Sequence, residues 1–340
     1  MSLQPMHLDA DRACQKPPSR CKVLTRSRVR MKGILRALFF CVIAFPNVFR
    51  VYADTIYLST FNDNTILKFD SSGNYSTFAT ASSGLSGPAG LAVDSSGNLF
   101  AANGGNNTIE EFNTSGTGSI IATGASGLNE PVGLAFDSSG NLYVANYGNS
   151  TIVKFTAGGT GTVFASAVDG LNEPESLAFD GSGNLFVSNQ GNGNGTILEI
   201  NSSGTGSVFA TTASGLDNPQ GLAFDSGGNL LVANYSNNTI EKFNSSGQGS
   251  MFTSTNLPSN PINLAFDDDG DLYVANHGAA DILKFNSSGI GSVFASGLGN
   301  AVGIAIDDIP EPSTFLLLGL GLSLLAFFHK VALPRDRVGP

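Results

Sequence analysis

The sequence predicts an all-β protein, a six-bladed β-propeller with four antiparallel strands in each blade. The first observation behind this prediction is a repeated phrase, Leu-Ala followed by Phe or Val and then Asp. It starts at Leu91, Leu134, Leu177, Leu222 and Leu264, with a last variant at Ile304. The successive starts are 43, 43, 45, 42 and 40 residues apart. A period in this range is typical of propellers and solenoids, so we predict one structural unit per repeat.

The second observation is the content of one repeat. The unit that starts at Leu134 has four short apolar runs, at 134–136, 142–145, 151–155 and 162–165. They are rich in Val, Ile, Phe, Tyr and Thr, and turn-forming residues separate them, which is the pattern of short β-strands joined by tight turns. The second run is apolar at every position, so we expect neighbouring blades to cover both of its faces.

The third observation is the blade count. The sequence phrase of the first strand occurs six times, and its last copy is at 304–307. The phrases of the second and third strands also occur six times, but their first copies begin at residue 56, before the first copy of the first-strand phrase. The chain therefore starts in the middle of one blade and ends with the inner strand that this blade lacks. We predict that 304–306 pairs beside 56–59 and closes the ring, because closure removes the exposed edges of an open array.

The N-terminal region contains no propeller repeat. Residues 1–30 are basic and form either a leader or a wrongly assigned start, since Met31 is a second candidate for the first residue. Residues 31–53 have a positive start, an apolar stretch at 37–45 and a small residue at the end, which predicts a secretory signal peptide cut after Ala53. The alternative is a short membrane anchor, which the proline and arginine after the apolar stretch disfavour.

The predicted ring, residues 54–308, is strongly acidic. It has four lysines, no arginine and 23 Asp or Glu residues, which gives a net charge of −19. Such a surface repels phosphate backbones, so the sequence excludes nucleic acid as a partner and permits at most weak Ca²⁺ binding. All three cysteines precede residue 54, so we expect neither a disulfide nor thiolate chemistry in the ring.

The C-terminal segment has a different composition. Pro310, Glu311 and Pro312 precede a 14-residue apolar stretch at 315–328, and a basic tail follows at 331–340. As a helix this stretch would be about 21 Å long, shorter than the roughly 30 Å hydrocarbon core of a bilayer. We predict a short hydrophobic helix at this terminus, as at the N-terminus, with transient or permanent membrane contact. The alternative is a plain single-span anchor.

The order of parts over residues 309–330 resembles the PEP-CTERM sorting signal. The resemblance implies recognition by an exosortase-type membrane protease in a Gram-negative bacterium that makes exopolysaccharide. It also implies export across the inner membrane, a membrane-anchored state before processing, and a final place in the cell envelope or extracellular matrix. One departure is that His329 and Lys330 follow the apolar stretch, where this family usually has a cluster of arginines.

The repeats of residues 54–308 resemble NHL repeats. The residues that carry the resemblance are PVGLAFD at 131–137, GNLYVAN at 140–146 and TIVKF at 151–155. This resemblance implies a six-bladed propeller that usually binds a partner. Related rings include regucalcin-like and gluconolactonase-like lactonases and the streptogramin lyases, so an enzyme is the alternative.

One position varies inside the otherwise regular repeat, directly after the second strand. Across the blades it is occupied by Phe61, Gly104, Tyr147, Gln190, Tyr235 and His277. Function tends to lie on loops that a rigid scaffold holds, and aromatic side chains can stack on sugars or pack on a protein. We therefore predict a ligand-binding rim at this position. The alternative is a scatter of ordinary surface aromatics.

The strand order places a second kind of loop on the same rim, the link from the fourth strand of one blade to the first strand of the next. These links contain Glu130, Glu173, Glu175 and Asn218, close to the prolines that rigidify the start of each first strand. A metal-dependent lactonase-like or lyase-like site would need such residues around the central channel, and we find no convincing catalytic set. We assign the four residues to the ligand-binding rim.

Two further patterns are assigned to the fold. Asn ends the second strand in five blades and is expected to cap the following turn, the alternative being a ring of amides that holds sugars or Ca²⁺. These residues are Asn103, Asn146, Asn189, Asn234 and Asn276. The run DDDGD at 267–271 resembles a calcium loop but lacks the glutamate that ends an EF-hand loop.

Together these features favour a secreted, non-catalytic binding scaffold without a cofactor. It would present one rim of the propeller to an exopolysaccharide or to an envelope protein.

Overall fold

The computed structural model describes residues 52–156, 159–191, 195–253 and 258–310. They form six antiparallel sheets of four strands each. The innermost strands of consecutive sheets contact one another around a closed circle. The fold is therefore the predicted six-bladed β-propeller.

Each blade runs from an innermost strand at the axis of the ring to an outermost strand at its edge. In this order, blade 1 contains β24 (Ala301–Pro310), β1 (Tyr52–Thr60), β2 (Thr65–Phe69) and β3 (Tyr75–Ala79). Blade 2 contains β4 (Pro88–Val93), β5 (Leu99–Asn103), β6 (Thr108–Phe112) and β7 (Gly118–Ala122). Blade 3 contains β8 (Pro131–Phe136), β9 (Leu142–Asn146), β10 (Thr151–Phe155) and β11 (Gly161–Ala165).

The other three blades repeat this plan. Blade 4 contains β12 (Pro174–Phe179), β13 (Leu185–Asn189), β14 (Thr196–Ile200) and β15 (Gly206–Ala210). Blade 5 contains β16 (Pro219–Phe224), β17 (Leu230–Asn234), β18 (Thr239–Phe243) and β19 (Gly249–Met251). Blade 6 contains β20 (Pro261–Phe266), β21 (Leu272–Asn276), β22 (Asp281–Phe285) and β23 (Gly291–Ser296). Short 3₁₀ turns lie in the links at Ala81–Ser83, Gly124–Ser126, Ala167–Asp169 and Thr212–Ser214, and after second strands at Tyr147–Asn149 and His277–Ala279.

The turn between the first and second strands has the predicted chemistry. In blade 3, Oδ1 of Asp137 accepts hydrogen bonds from the backbone N–H groups of Ser139 and Asn141, both at 2.9 Å. Gly140 completes the turn with a φ of 78°, which is a conformation that other residues rarely adopt. The same aspartate bonding recurs in the corresponding turns at Asp94, Asp180 and Asp225. Local sequence therefore specifies these hairpins.

The core lies between the blades. Every residue of the second strand β9 is buried, as the uniformly apolar pattern predicts. Tyr143 on this strand packs edge-to-face against Phe164 of its own blade and Phe179 of the next, with ring centroids 5.0 Å apart in both pairs. Each blade thus buries its second strand against a neighbour, so the blades stabilise one another rather than standing alone.

Small residues in the inner strands let these strands approach closely at the axis. A Cβ atom added to Gly133 would overlap the backbone carbonyl oxygen of Glu175 in the next blade. Gly90, Gly221 and Gly303 stand at the same position and face the same kind of backbone contact. Contact between backbones is therefore the reason why these positions hold glycine.

The ring closes through the two ends of the described chain. β24 pairs antiparallel with β1, and Ile56, Tyr57 and Leu58 lie opposite Ile306, Ala305 and Ile304. This register confirms the predicted pairing. The ladder continues to Tyr52 opposite Pro310, so the described strands extend two residues beyond the predicted limits of 54 and 308 on each side.

The remaining terminal predictions concern residues outside the described part of the chain. These are the leader at 1–30, most of the signal peptide at 31–53, the two short hydrophobic helices, Glu311 and Pro312, and the tail at 331–340. Within the described ranges, none of the helices has the length and apolar character needed to cross a bilayer.

Gly133→Ala is expected to destabilise the protein by about 1–3 kcal/mol, because the new methyl group must displace backbone of the next blade. The matched control is Gly181→Ala, since a Cβ there has open space around it and should change stability by less than about 0.5 kcal/mol. Urea unfolding measures both. Equal stability of the two variants would contradict the proposed close approach.

A chain that ends at Asn300 lacks β24 and is expected to melt at least about 10 °C below a chain that ends at Pro310. The reason is that β24 carries the buried residues Ala301, Ile304 and Ala305, whose burial would be lost. Each kcal/mol of lost stability lowers the melting temperature by about 2–4 °C in a protein of this size. The chain that ends at Pro310 is the control, since it keeps every described strand. Thermal unfolding by circular dichroism makes the comparison, and equal melting temperatures would refute closure by β24.

Candidate functional site

The direction of the strands gives the ring two different faces. The upper face carries the loops after the second strands, which begin at 61, 104, 147, 190, 235 and 277, and the links that end at 87, 130, 173, 218, 260 and 300. The lower face carries the hairpin turns and both ends of the described chain. The predicted rim residues Phe61, Tyr147, Gln190, Tyr235, His277, Glu130, Glu173 and Asn218 all lie on the upper face.

Glu175 lies in a different place from the one predicted. It is the second residue of β12 and not part of the link before it. Its side chain is among the residues that line the narrow cavity at the centre of the ring. The strand begins at Pro174, three residues before the apolar run that starts at Leu177, because Pro174 already pairs with Asn189.

The backbone of the variable position is fixed in the same way in every blade. Its N–H group donates a hydrogen bond of 3.0–3.2 Å to the carbonyl oxygen of the residue that ends the adjacent link. The donors are Phe61, Gly104, Tyr147, Gln190, Tyr235 and His277, and the acceptors in the same order are Asn300, Gly87, Glu130, Glu173, Asn218 and Asn260. Because this bond uses only backbone atoms, it leaves the side chain at this position free to vary.

The residue that ends the link has left-handed backbone geometry in five of the six links, at Gly87, Glu130, Glu173, Asn218 and Asn260. Glu130 and Glu173 have φ values of 48° and 51°, which are unfavourable for residues with a Cβ. Hydrogen bonds between blades hold this conformation: the N–H of Glu130 donates to Oδ1 of Asn107 at 2.6 Å, and that of Glu173 donates to Oγ of Ser150 at 3.1 Å. The two carboxylates therefore stand at rigid, reproducible points of the upper face, which the sequence pattern did not indicate.

The five asparagines that end the second strands have a structural role. They are buried, and Oδ1 of Asn146 accepts from the N–H of Asn129 in the preceding link at 3.1 Å. Its Nδ2 donates to Oγ1 of Thr151 across the following loop at 3.0 Å. The expected cap of the following turn is therefore only part of the role, since the same amide also holds the preceding link. Buried and bonded in this way, the amides do not face a ligand.

One side of the upper face is acidic. Burial raises the pKa of Tyr147, and so do the charges of Glu173 and Glu175, a hydrogen bond with Glu173 and the charge of Glu130. Burial, together with the charge of Glu173, raises the pKa of Glu175 to about 7. The structure therefore brings Tyr147 and the three predicted carboxylates into one electrostatically coupled group. On the next link, Oδ1 of Asn218 is buried without a hydrogen-bond partner among the described residues.

The central cavity below this group is narrow. Its volume is about 30 Å³, which is the volume of one water molecule. Its wall is formed by the second and third residues of the inner strands, among them Ala89, Val132, Gln220, Ile262 and Val302, and Glu175 is the only charged residue in the described part of this wall. A sugar ring or a lactone does not fit in this cavity. In the sequence, the residues of this wall could have been found as the positions that directly follow the proline at the start of a first strand, because these positions vary between blades.

The other side of the upper face is aromatic. The rings of Tyr235 and His277 are 6.5 Å apart at a tilt of 40°, and Nδ1 of His277 lies 3.4 Å from the carbonyl oxygen of Ala301. Phe61 is 40% exposed and lies against Gly87. These three side chains occupy the adjacent blades 5, 6 and 1, whereas Tyr147 and the half-buried Gln190 occupy blades 3 and 4.

The DDDGD run on the lower face is an ordinary hairpin. The Nζ of Lys284 forms ion pairs with Asp267 at 3.4 Å and with Asp271 at 2.9 Å. The N–H of Asp271 donates to Oδ1 of Asp267 at 2.7 Å, as in the other turns of this kind. Across the part of the chain that the structure describes, no three His, Cys, Asp or Glu side chains are placed to hold one metal ion.

Comparison with known sequences identifies both kinds of motif in the chain. The NHL repeat model matches residues 128–155 and 216–243, and the PEP-CTERM protein-sorting motif matches residues 308–330. Both predicted resemblances are therefore confirmed, and the PEP-CTERM motif indicates sorting to the cell envelope or extracellular space of a Gram-negative bacterium. No curated protein sequence matches the chain.

Solved structures share the fold at low sequence identity. A crystal structure of a nidogen/laminin complex has a TM-score of 0.66 and 16% identity, covering 76% of this chain and 99% of that one. A streptogramin B lyase has a TM-score of 0.57 and 17% identity, covering 74% and 83%. A gluconolactonase from Xanthomonas campestris has a TM-score of 0.53 and 19% identity, covering 64% and 78%. Since these proteins have different functions, the similarity extends to the fold alone.

Glu175→Gln is expected to stabilise the protein above pH 7 and to have no effect below pH 4. The folded-state pKa of about 7 lies above the ordinary value of 4.5, so the folded state favours the protonated carboxyl and loses stability as pH rises between these values. The expected gain at pH 8 is on the order of 2 kcal/mol, since one pKa unit corresponds to about 1.4 kcal/mol.

Urea unfolding at pH 4 and pH 8 measures this difference. Glu199→Gln, on the third strand of the same blade, is the control, because it makes the same substitution outside the channel. A Glu175→Gln protein with the same pH profile as the unsubstituted chain would contradict a half-buried carboxylate with a raised pKa in the channel.

Proposed function

We propose that this NHL-repeat propeller is a non-catalytic binding protein of the cell envelope or extracellular matrix, which binds exopolysaccharide on its upper face. The observation that carries the proposal is the variable position after each second strand. The same backbone hydrogen bond fixes it in all six blades, while its side chain ranges from Gly104 through Gln190 to Tyr147. When a rigid repeat leaves the side chain at one position of one face unconstrained by the fold, that position can carry the residues that bind a ligand.

The chemistry of this face suits a polysaccharide. Tyr147, Tyr235 and Phe61 offer aromatic surfaces on which sugar rings can stack. The carboxylates of Glu130 and Glu173 lie next to Tyr147 and can accept hydrogen bonds from sugar hydroxyls. The width of the upper face also suits an extended polymer better than a small molecule, because the central cavity is too narrow to enclose one.

The negative charge of the upper face further limits the class of ligand that can bind there. On the lower face the acidic turns are neutralised in part, since Lys154, Lys242 and Lys284 form ion pairs with Asp137, Asp225 and Asp267. All of the lysines of the ring lie on third strands near that face, so Glu130 and Glu173 face the ligand without a basic neighbour on the same loops. The preferred polymer is therefore neutral or carries amino groups, and phosphate-rich or uronic-acid-rich polymers are disfavoured. An envelope protein with a basic surface is the other class of partner that this charge admits.

The strand directions also suit such a role. Both ends of the described chain, Tyr52 and Pro310, lie on the lower face, and the sorting motif continues from that face. A protein held through residues 311–340 would carry its upper face on the opposite side from its attachment. We propose that an exosortase-type membrane protease processes the tail, with membrane contact through residues 315–328 before processing.

An enzyme acting at the central channel is the second candidate. The observation in its favour is Glu175, because a carboxyl group with a pKa of about 7 is suited to general acid–base catalysis near neutral pH. The lactonase-like form of this candidate needs a metal site, and the carboxylates Glu130, Glu173 and Glu175 do not form a three-ligand group. The binding function is therefore preferred.

Affinity for exopolysaccharide is expected to fall about 3–10-fold in both Tyr147→Ala and Tyr235→Ala, the loss expected for one aromatic contact. The control is Tyr75→Ala, since Tyr75 is 52% exposed on the outer strand β3, away from the upper face. Calorimetry against a panel of purified exopolysaccharides with neutral, amino-bearing and acidic sugars measures the change.

Three outcomes separate the candidates. Weakening in the two rim variants but not in the control supports polysaccharide binding on the upper face. Equal affinities in all variants refute it. Turnover of a lactone or of a glycan that disappears in Glu175→Gln and is unaffected by Tyr235→Ala would instead establish the enzyme.

A further inference from the structure

The first residues of the sorting motif lie inside the propeller. The motif begins at residue 308, whereas β24 extends to Pro310. In the ladder between β1 and β24, Asp54 lies opposite Asp308, Ala53 opposite Ile309 and Tyr52 opposite Pro310. Three residues of the motif are therefore held as part of a β-sheet.

The predicted signal peptidase cut falls within the same ladder. Cleavage after Ala53 would remove Tyr52 and Ala53 from β1 and leave Asp54 as the new N-terminus. β24 is the innermost strand of its sheet, with the order β24-β1-β2-β3, so β1 is the strand to which it is paired in the described part of the chain. Without Tyr52 and Ala53, the backbone of Ile309 and Pro310 has no strand opposite it.

We infer that removal of the N-terminal leader releases the start of the C-terminal sorting motif. In the uncut chain, residues 52–53 hold Ile309 and Pro310 in the sheet. In the cut chain, these two residues become an extended segment between the ring and Glu311. The sorting machinery then meets an accessible motif only on chains whose leader has been removed.

The physical reason is competition for one stretch of backbone. Proteins that recognise a peptide commonly take it as an extended strand and pair with its backbone N–H and C=O groups. Those groups of Ile309 cannot serve a second partner while they are paired with β1. The register makes the predicted cut after Ala53 and the start of the sorting motif direct neighbours, although they are more than 250 residues apart in sequence. This inference depends on the signal peptide proposed above, but its test supplies the cut artificially and is independent of what the upper face binds.

The test uses the full-length chain with an engineered protease site. In the first version, residues 50–53 are replaced by the factor Xa sequence Ile-Glu-Gly-Arg, so that cutting leaves Asp54 as the N-terminus. In the matched version, residues 48–51 are replaced, so that the same cut leaves Tyr52 and Ala53 in the ladder. Each protein, in detergent, is then exposed to a proline-specific endoprotease before and after factor Xa treatment.

Mass spectrometry compares cleavage after Pro310 with cleavage after Pro334, which is the internal control in the tail. In the first version, factor Xa treatment is expected to speed cleavage after Pro310 by about tenfold relative to the control, the change expected when one or two ordinary hydrogen bonds are lost. In the matched version, treatment should leave the ratio unchanged.

Equal acceleration in both versions would overturn the inference, because loss of the leader alone would then explain it. The same rate after Pro310 before and after cutting in the first version would also overturn it. A melting curve for each cut product shows that the ring remains folded, so that a general loss of structure is not mistaken for local release.

Discussion

The structure depends on the antiparallel pairing of β1 with β24. These strands come from opposite ends of the described chain, and their side chains complete a core cluster that also includes residues of blade 6. Ile56, Leu58 and Ile304 are buried in that cluster, next to Tyr273. Closing so long a loop costs conformational entropy, which only burial on both sides of the new blade can offset. The six blades are therefore one cooperative unit, in contrast to an open solenoid whose terminal repeats can separate independently.

The same closure determines the polarity of the molecule. Because β1 starts and β24 ends on the lower face, the sorting motif and the residues that precede Tyr52 both join the ring there. The upper face consists only of loops and links, and their backbone groups are bonded to one another in every blade. Side chains at this face are thus held on a rigid frame and need not contribute to it, which is why aromatic residues and uncompensated carboxylates can gather there. The lysines of the lower face neutralise the acidic turns, so the two faces also differ in charge.

The candidate site was only partly predictable. The interruption of a regular repeat was enough to identify Phe61, Tyr147, Tyr235 and His277, because a residue that varies inside a strict pattern is released from the demands of the fold. The role of Glu175 was not accessible in this way. Its position in the central wall depends on where β12 begins, which is decided by pairing between Pro174 and Asn189 across the sheet. Coupling of Tyr147, in blade 3, to Glu173 and Glu175, at the start of blade 4, likewise arises between adjacent blades.

Local patterns in the sequence were sufficient for the fold class, the number of blades, the hairpin turns and the identity of the closing strands, because each of these follows from short-range periodicity and turn chemistry. The register beyond Asp54 and Asp308, the narrowness of the channel and the grouping of carboxylates beside Tyr147 were decided only by the tertiary structure. These features depend on distances between separate blades, which are set when the inner strands come into backbone contact at Gly90, Gly133 and Gly303. The sequence pattern of a single repeat carries no information about the distances between blades.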